Sequence, residues 1–147
     1  MPANTAPIHP VAPYAVSASL ANAAACTSRA PTATANLAAA NIFALTLVSP
    51  NGLRIDSIQV KAAANAIGSA STAGLVQIWL HDGTNAYLYD EIAVSAVTPS
   101  ATVASFAAQK NYANLVLPAG QTLYVSTTVA TTSATNALAL TVNGGAY

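Results

Sequence analysis

The sequence predicts an all-β protein: an antiparallel β-sandwich, jelly-roll or immunoglobulin-like, with an extended N-terminal arm. From about residue 42, short runs of alternating apolar and polar residues are separated by turn residues, giving about seven or eight strands. No window beside them sustains an amphipathic helical pattern. Five of the eight prolines fall in residues 1–31, where neither helical periodicity nor clean strand alternation is sustained.

The N-terminal region, residues 1–31, is therefore interpreted as an arm, and residues 32–147 as the β-sandwich domain. Apart from proline, the arm is mostly Ala, Thr, Ser and Asn, which is typical of extended, polyproline-like segments. Such an arm is held either against its own domain or along a neighbouring subunit. Its candidate contact residues are Pro7, Pro10, Pro13 and Tyr14.

The first predicted strand of the domain is "IFALTLV", at 42–48. Its alternation places Phe43, Leu45 and Leu47 on one face. The turn "SPNG" follows, in which Gly52 can adopt a positive φ. The sequence therefore predicts a strand that ends in a tight turn.

The next run, "LRIDSIQVK", contains a slip in its apolar phase. Leu53 and Ile55 share one parity, whereas Ile58 and Val60 share the other. Because a slip of one residue turns the following side chains to the opposite face, an extra residue must be accommodated. We predict a β-bulge near Asp56–Ser57.

The remaining strands continue the pattern of short runs and turns. A small-residue loop, "AIGSASTAG", precedes the runs "LVQIWLH" and "YLYDEIAV", which a turn joins. "PSATVASFA" is a weaker strand, and "YANLVL" runs into the turn "PAG". "QTLYVSTTV" alternates well, and "NALALTV" points Leu138, Leu140 and Val142 inward before a glycine-containing tail, "NGGAY".

The stretch "IWLHDGTNAYLYDEI", residues 78–92, concentrates the polar chemistry of the chain. It holds three of the four acidic residues, one of the two histidines and the only Trp. A five-residue loop, Asp82–Ala86, separates apolar from polar side chains most cleanly. That register pairs His81 with Tyr87, Trp79 with Tyr89 and Gln77 with Glu91.

In this register, the hairpin has an aliphatic inner face and an aromatic outer face. Trp79, His81, Tyr87 and Tyr89 lie on the outer face. Trp and Tyr are enriched among interface anchors, so these four residues are the candidate interface. The alternative is a second core layer, in which the aromatic side chains lie under the arm.

Asp90 is the exception, because its parity directs it to the core side. A buried carboxylate needs a cation or several hydrogen-bond donors. Arg54 shares the parity of the inward-facing Ile58 and Val60, so we predict a buried Arg54–Asp90 ion pair. The alternative is an aspartate at a strand end that reaches water.

The composition restricts the class of function. Charged residues make up 5% of the chain, against a usual ~25%, and the net charge is zero. Domains with so little charge tend to associate. The four basic residues are scattered, so we expect no nucleic-acid partner. No uninterrupted apolar run reaches ~18 residues, so we expect no membrane span.

The sequence contains no recognisable catalytic or metal-binding motif. There is no G-x-S-x-G elbow, no Cys pair and no closely spaced His pair. Asp90 and Glu91 are adjacent and point to opposite faces of a strand. Asp82 and Asn85 match a weak cation site or, more simply, the capping of a turn. We therefore expect no enzymatic activity, no cofactor and no metal.

Several segments resemble a group of small virion proteins of tailed bacteriophages, encoded among head genes. These segments are "ANAAACTSRAPT", "LHDGTNAYLYDEIAVSAVTPSATV", "NLVLPAGQTLYVSTT" and "NGGAY". The resemblance covers most of the chain from about residue 21. It implies a non-enzymatic β-sandwich that acts as a cement or decoration protein on a phage capsid. It transfers no defined site residues.

The resemblance also implies where the protein acts and with what. Its expected partners are the major capsid protein of the same phage and copies of itself, as a trimer or dimer. Its expected location is the capsid surface of the virion, after assembly in the host cytoplasm. The alternative function is a glycan- or receptor-binding module on a virion surface, in which Trp79, Tyr87 and Tyr89 stack on sugar rings.

Overall fold

The computed structural model describes residue 10 and residues 12–45, 51–63, 70–132 and 137–147. These residues form two antiparallel sheets packed as a sandwich, which confirms the predicted fold class. The strands are β1 (Ala12–Leu20), β2 (Thr32–Ala33), β3 (Phe43–Ala44), β4 (Leu53–Ala62), β5 (Gly74–His81), β6 (Asn85–Val94), β7 (Ala107–Leu117), β8 (Thr122–Thr127) and β9 (Leu138–Ala146). One short 3-10 turn covers Thr34–Asn36. In the described part of the chain, no helix is long and apolar enough to span a membrane.

The four-stranded sheet has the order β1-β9-β4-β7, and the five-stranded sheet has the order β2-β6-β5-β8-β3. The main core lies between the two sheets and is filled by alternating aliphatic side chains. The four-stranded sheet contributes Leu53, Ile55, Ile58, Val60, Leu138, Leu140 and Val142, all of them buried. The inward direction predicted for Leu138, Leu140 and Val142 is confirmed.

The bulge predicted in β4 is confirmed. The pairing of β4 with both of its neighbours shifts between Ile55 and Ser57. Asp56 is left exposed at this point, while Ile55 and Ile58 on either side stay buried. The extra residue therefore keeps both halves of the strand facing the core, as the slip in apolar phase required.

Two predictions about the C-terminal half were wrong. The segment "PSATVASFA" is almost wholly a loop, because the Ser100 hydroxyl accepts the N–H groups of Thr102 and Val103 and closes a turn. The residues "NGGAY" do not form a tail beyond the last strand, since β9 continues to Ala146. Gly144 permits this: a Cβ there would lie 1.8 Å from the carbonyl oxygen of Arg54 on β4.

The predicted arm is partly a strand of the sandwich. Residues 12–20 form β1, which pairs with β9 along its whole length, so the sandwich does not begin at residue 32. Pro13 is exposed, Tyr14 is half-buried against the core, and Pro10 lies against Gly145. Pro7 lies outside the described residues, and the role of these four residues as contacts stays a prediction.

The strand predicted at 42–48 is described only as far as Leu45. Within that part, Phe43–Ala44 pair with β8, and Leu45 is buried in the core. Leu47 lies outside the described residues. Gly52 has a φ of 102°, as predicted for the turn that precedes β4.

Replacing Gly144 by alanine should destabilise the protein more than replacing Gly120. The added methyl group would force β4 and β9 apart, and overpacking of this kind costs about 1–3 kcal/mol. At Gly120, φ is 82° and no described atom lies within 4 Å of an added Cβ, so only the left-handed backbone costs energy, about 1 kcal/mol. Urea unfolding measures both losses. Equal losses, or the reverse order, would contradict the close approach of β4 and β9.

Candidate functional site

The hairpin between β5 and β6 has a four-residue loop, not the predicted five-residue one. His81 pairs with Ala86, so the loop is residues 82–85. The Asp82 carboxylate accepts the N–H groups of Thr84 and Asn85, each at 2.8 Å, and closes the turn one residue early. These bonds lower the pKa of Asp82, which acts here as a turn cap.

The register of the hairpin returns to the predicted one beyond a second bulge. Trp79 pairs with Leu88 and Ile78 with Asp90, so Tyr89 is the extra residue. The predicted Trp79–Tyr89 and His81–Tyr87 pairs were therefore wrong. The predicted pairing of Gln77 with Glu91 is confirmed.

The outer face of the five-stranded sheet is covered by the protein's own chain. Residues 21–42, here called the covering segment, run from β1 across this face. Cys26, Leu37 and Ile42 of the covering segment form a second buried cluster with Trp79, whose exposure is 0%. Trp79 is therefore part of a second core layer, which is the alternative that the sequence left open, and its prediction as a candidate interface residue was wrong.

The start of the covering segment is anchored by hydrogen bonds to residues in and after β8. The Thr131 hydroxyl accepts the N–H of Ala23 at 3.0 Å and donates to the carbonyl of Leu20. The N–H of Cys26 donates to the carbonyl of Thr127 at 2.8 Å. The segment is thus an integral layer of the fold.

A chain of polar side chains lies beneath the covering segment. The indole Nε1–H of Trp79 donates to the Ser126 hydroxyl at 2.9 Å, and that hydroxyl donates to Oε1 of Gln77 at 2.8 Å. Gln77 Nε2 and Arg29 Nε both donate to Oε1 of Glu91, at 3.1 and 2.9 Å. Since Gln77, Trp79 and Ser126 are fully buried, each link compensates for the loss of water.

His81 joins the hairpin turn to the covering segment. Its Nδ1 accepts the N–H of Gly83 at 3.2 Å, so Nε2 carries the hydrogen and donates to the Thr34 hydroxyl at 2.8 Å. That hydroxyl donates to the carbonyl of Thr84 at 2.7 Å. His81 is 8% exposed and its ring lies 4.9 Å from that of Tyr124, tilted by 43°. His81 therefore lies beneath the covering segment, and its prediction as a candidate interface residue was wrong.

The predicted Arg54–Asp90 ion pair was wrong. Asp90 does form an ion pair, but its partner is Lys110. Lys110 Nζ lies 2.5 Å from Oδ1 of Asp90, and the Tyr112 hydroxyl donates to Oδ2 at 2.9 Å. Asp90 faces the space between the sheets at the side where β6 meets β7. Arg54 belongs to the other sheet and pairs with the exposed Asp56 at 2.7 Å.

Tyr87 and Tyr89 are the exposed aromatic residues of the hairpin, at 43% and 45% exposure. The Tyr89 ring lies 6.0 Å from that of Tyr112. We call Tyr89, Asp90, Lys110 and Tyr112 the tyrosine–aspartate cluster. Its carboxylate already accepts from three donors, Lys110, Tyr112 and the N–H of Glu91, so the cluster offers an aromatic surface rather than a free acid or base.

The hydrogen bonds of the tyrosine–aspartate cluster shift two pKa values. Burial alone would raise the pKa of Asp90, but the bonds from Lys110 and Tyr112 outweigh it and hold the pKa below its ordinary value. Burial, followed by the bond to Asp90, raises the pKa of Tyr112. The sequence did carry a signal for this cluster, since Lys110 and Tyr112 share one strand parity.

Comparison with known proteins finds no matching family model, no matching curated protein and no matching solved structure. Within the described residues, no three His, Cys, Asp or Glu side chains are grouped as a metal site would require. The exposed surfaces that the structure describes include the tyrosine–aspartate cluster and the outer face and edges of the four-stranded sheet.

Replacing Ser126 by alanine should cost about 1–3 kcal/mol of stability, because it leaves the Trp79 N–H and the Gln77 carbonyl unpaired in the core. Urea unfolding followed by Trp79 fluorescence measures the loss. Ser95→Ala is the matched control, because Ser95 is exposed. An equal and small effect of both substitutions would show that the buried polar chain contributes nothing.

Asp90→Asn should remove a contribution to the free energy of unfolding that the wild-type protein has in full only above about pH 4. A carboxyl whose pKa is lower in the folded state stabilises the fold above its unfolded pKa, and that contribution is lost as the pH falls. We expect a difference of about 1–2 kcal/mol at pH 7, because Lys110 is half exposed, and a much smaller one near pH 2.5.

Urea unfolding at the two pH values checks this prediction. Asp56→Asn is the control, because an exposed ion pair contributes little at either pH. A loss for Asp90→Asn that does not change with pH would contradict the role given to the carboxylate charge.

Proposed function

We propose that this protein is a structural virion protein, a capsid cement or decoration protein that stabilises a phage head by bridging capsid subunits. The observation that carries the proposal is the outer face of the four-stranded sheet. Two rows of side chains cross all four strands there. One row is Ser17, Thr141, Gln59 and Gln109, and the other is Ala15, Asn143, Ser57 and Asn111.

These eight residues, here called the uncharged face, form a ladder of uncharged side chains, of which all but Ala15 are polar and Ser57 is buried. The hydroxyls of Ser17 and Thr141 are 3.0 Å apart, and Gln109 donates to Asn111 at 2.8 Å. Charged residues of β4, Lys61 and the Arg54–Asp56 pair, border these eight residues on the same side of the sheet. Burying the eight residues themselves in a contact desolvates no charge, and their groups can find hydrogen-bond partners across the contact. The uncharged face therefore suits a large, close contact with another protein surface.

A cement protein acts by adding contact area across the joints between shell subunits. A stable contact of this kind buries more than ~1,000 Å² in total. The low charge of the whole chain and the resemblance to head proteins of tailed phages support the same function. The proposed partners are the major capsid protein and further copies of this chain, on the capsid surface of the virion.

The rival function is the binding of a glycan or receptor. The burial of Trp79 removes one of the three rings expected to stack on sugars. The observation that favours the rival is the exposure of Tyr87 and of Tyr89 beside the Asp90 carboxylate. The tyrosine–aspartate cluster comprises four residues and the uncharged face eight, so we keep this function second.

Two negative charges on the uncharged face should weaken binding to shells. In a co-sedimentation assay with shells assembled from the major capsid protein, we expect wild-type protein to pellet with the shells. Gln59→Glu combined with Thr141→Glu should lower the affinity at least about tenfold, because that loss corresponds to only ~1.4 kcal/mol. Wild-type binding should change little with salt, since no charge pairs carry it.

Tyr89→Ala is the matched control, because it alters the exposed tyrosines and leaves the uncharged face intact. It should bind shells as the wild type does. Shell binding by the Gln59→Glu/Thr141→Glu variant at wild-type affinity would contradict the proposed contact surface. Failure of the wild type to bind shells, together with glycan retention that Tyr89→Ala removes, would favour the rival function.

A further inference from the structure

The two edge strands of the four-stranded sheet, β1 and β7, differ in how well they are protected against pairing with another chain. On the β7 edge, the pairing with β4 jumps from Leu115 to Asn111, and Lys110 adds a charge. Bulges and lysines are common devices that prevent an edge strand from pairing with another chain. The β1 edge has no bulge and no lysine: its nine residues, Ala12–Leu20, keep one register with β9 and carry no charge. Its one protecting residue is Pro13, near the start of the strand.

The hydrogen-bond parity of β9 shows which groups of β1 point away from the sheet. Tyr147 donates its N–H to the carbonyl of Gly52, and Ala63 donates to the carbonyl of Ala137. Ala137 and Tyr147 directly precede and follow β9, and both are odd-numbered. The odd-numbered residues of β9 therefore form the hydrogen bonds to β4. Since residues of a strand alternate sides, the even-numbered residues of β9 bond to β1.

The even-numbered residues of β1 are opposite the even-numbered residues of β9. The odd-numbered residues of β1 therefore direct their backbone groups outward, at the edge. Pro13 has no N–H, so the donors at this edge are those of Ala15, Ser17 and Ser19. In the described part of the chain, no strand lies beyond β1 to accept them.

We propose that this edge pairs with the same edge of a second copy of the chain, antiparallel, about a two-fold axis at Ser17. Ser17 then faces its own copy, and Ala15 faces Ser19. Each outward N–H of the three residues meets a carbonyl of the second copy, and the two four-stranded sheets become continuous. The lack of charge in β1 means that the two-fold axis brings no like charges together.

A groove beside β1 provides a second, independent observation. It has a volume of about 200 Å³ and lies between the end of β1 and β3. Ala18, Leu20, Phe43 and Leu45 are among the residues that line it, and Phe43 is 40% exposed. In the proposed register, Val16 of the second copy lies opposite Ala18 on the inner side of the sheet, so its apolar side chain extends the core towards this groove.

The dimer deepens the self-association that is part of the proposed function. A two-fold contact between identical edges gives a closed dimer and no trimer. It also leaves the uncharged face open to a shell, since that face is perpendicular to the edge. All tests use purified protein without shells, so a failure of the dimer and a failure of shell binding are separate results.

Cysteine cross-linking tests the register. In Ser17→Cys, the paired Cα atoms of two copies would be about 5.5 Å apart, within the range of a disulfide. In Ser19→Cys, the two copies of residue 19 would be about 13 Å apart along the strand, beyond that range. Wild-type protein is the background, because its one cysteine, Cys26, is buried.

Under mild oxidation, Ser17→Cys should form a disulfide dimer, while Ser19→Cys and the wild type should stay as single chains on a non-reducing gel. Cross-linking of Ser19→Cys as readily as Ser17→Cys would overturn the register. No cross-linking of either variant would overturn the edge pairing.

Ser17→Pro tests the pairing itself. It removes one outward N–H and leaves the bonds between β1 and β9 intact, as Pro13 does at the same parity. Light scattering should give a mass of two chains for the wild type and for Ser17→Ala, and of one chain for Ser17→Pro. A single-chain mass for the wild type at tens of micromolar, or an unchanged dimer in a folded Ser17→Pro, would overturn the proposal.

Discussion

The buried hydrogen-bonded chain from Trp79 through Ser126 to Gln77 is the constraint on which the arrangement of surfaces depends. These polar groups lie on the outer face of a sheet, where water would normally satisfy them. The covering segment replaces water, and Arg29 and Glu91 complete the chain at its exposed end. The outer face of the five-stranded sheet is thereby covered by its own polypeptide, and for this reason we propose the four-stranded sheet and its β1 edge as the surfaces of association.

The sequence predicted the sandwich and the bulge in β4 because both follow from the alternation of large aliphatic residues. Ile55 and Ile58 must both face the core, and only an extra residue between them allows it. The sequence did not predict strand β1, because its alternation of large aliphatic and polar residues is weak. Its inward residues include Tyr14, Val16 and Ala18, but its outward residues are only alanine, serine and proline, so the contrast between faces is weak.

The site was predicted in part. Gln77 and Glu91 were paired correctly, and Asp90 was expected to need a cation, since parity and the cost of burying charge are local properties. The identity of that cation depends on how the two sheets meet, which a single strand does not reveal. The register near the turn was decided by the Asp82 carboxylate, whose bonds to two N–H groups outweigh the cleaner separation of side chains in a longer loop.

We propose that the uncharged face is the surface with which this protein binds a capsid. A cryo-electron microscopy reconstruction of the assembled head tests this proposal. We expect density for the sandwich on the outside of the shell, with the row Ser17, Thr141, Gln59 and Gln109 against the capsid and the covering segment turned away. Heads without this density, or a sandwich bound through its covering segment, would contradict it.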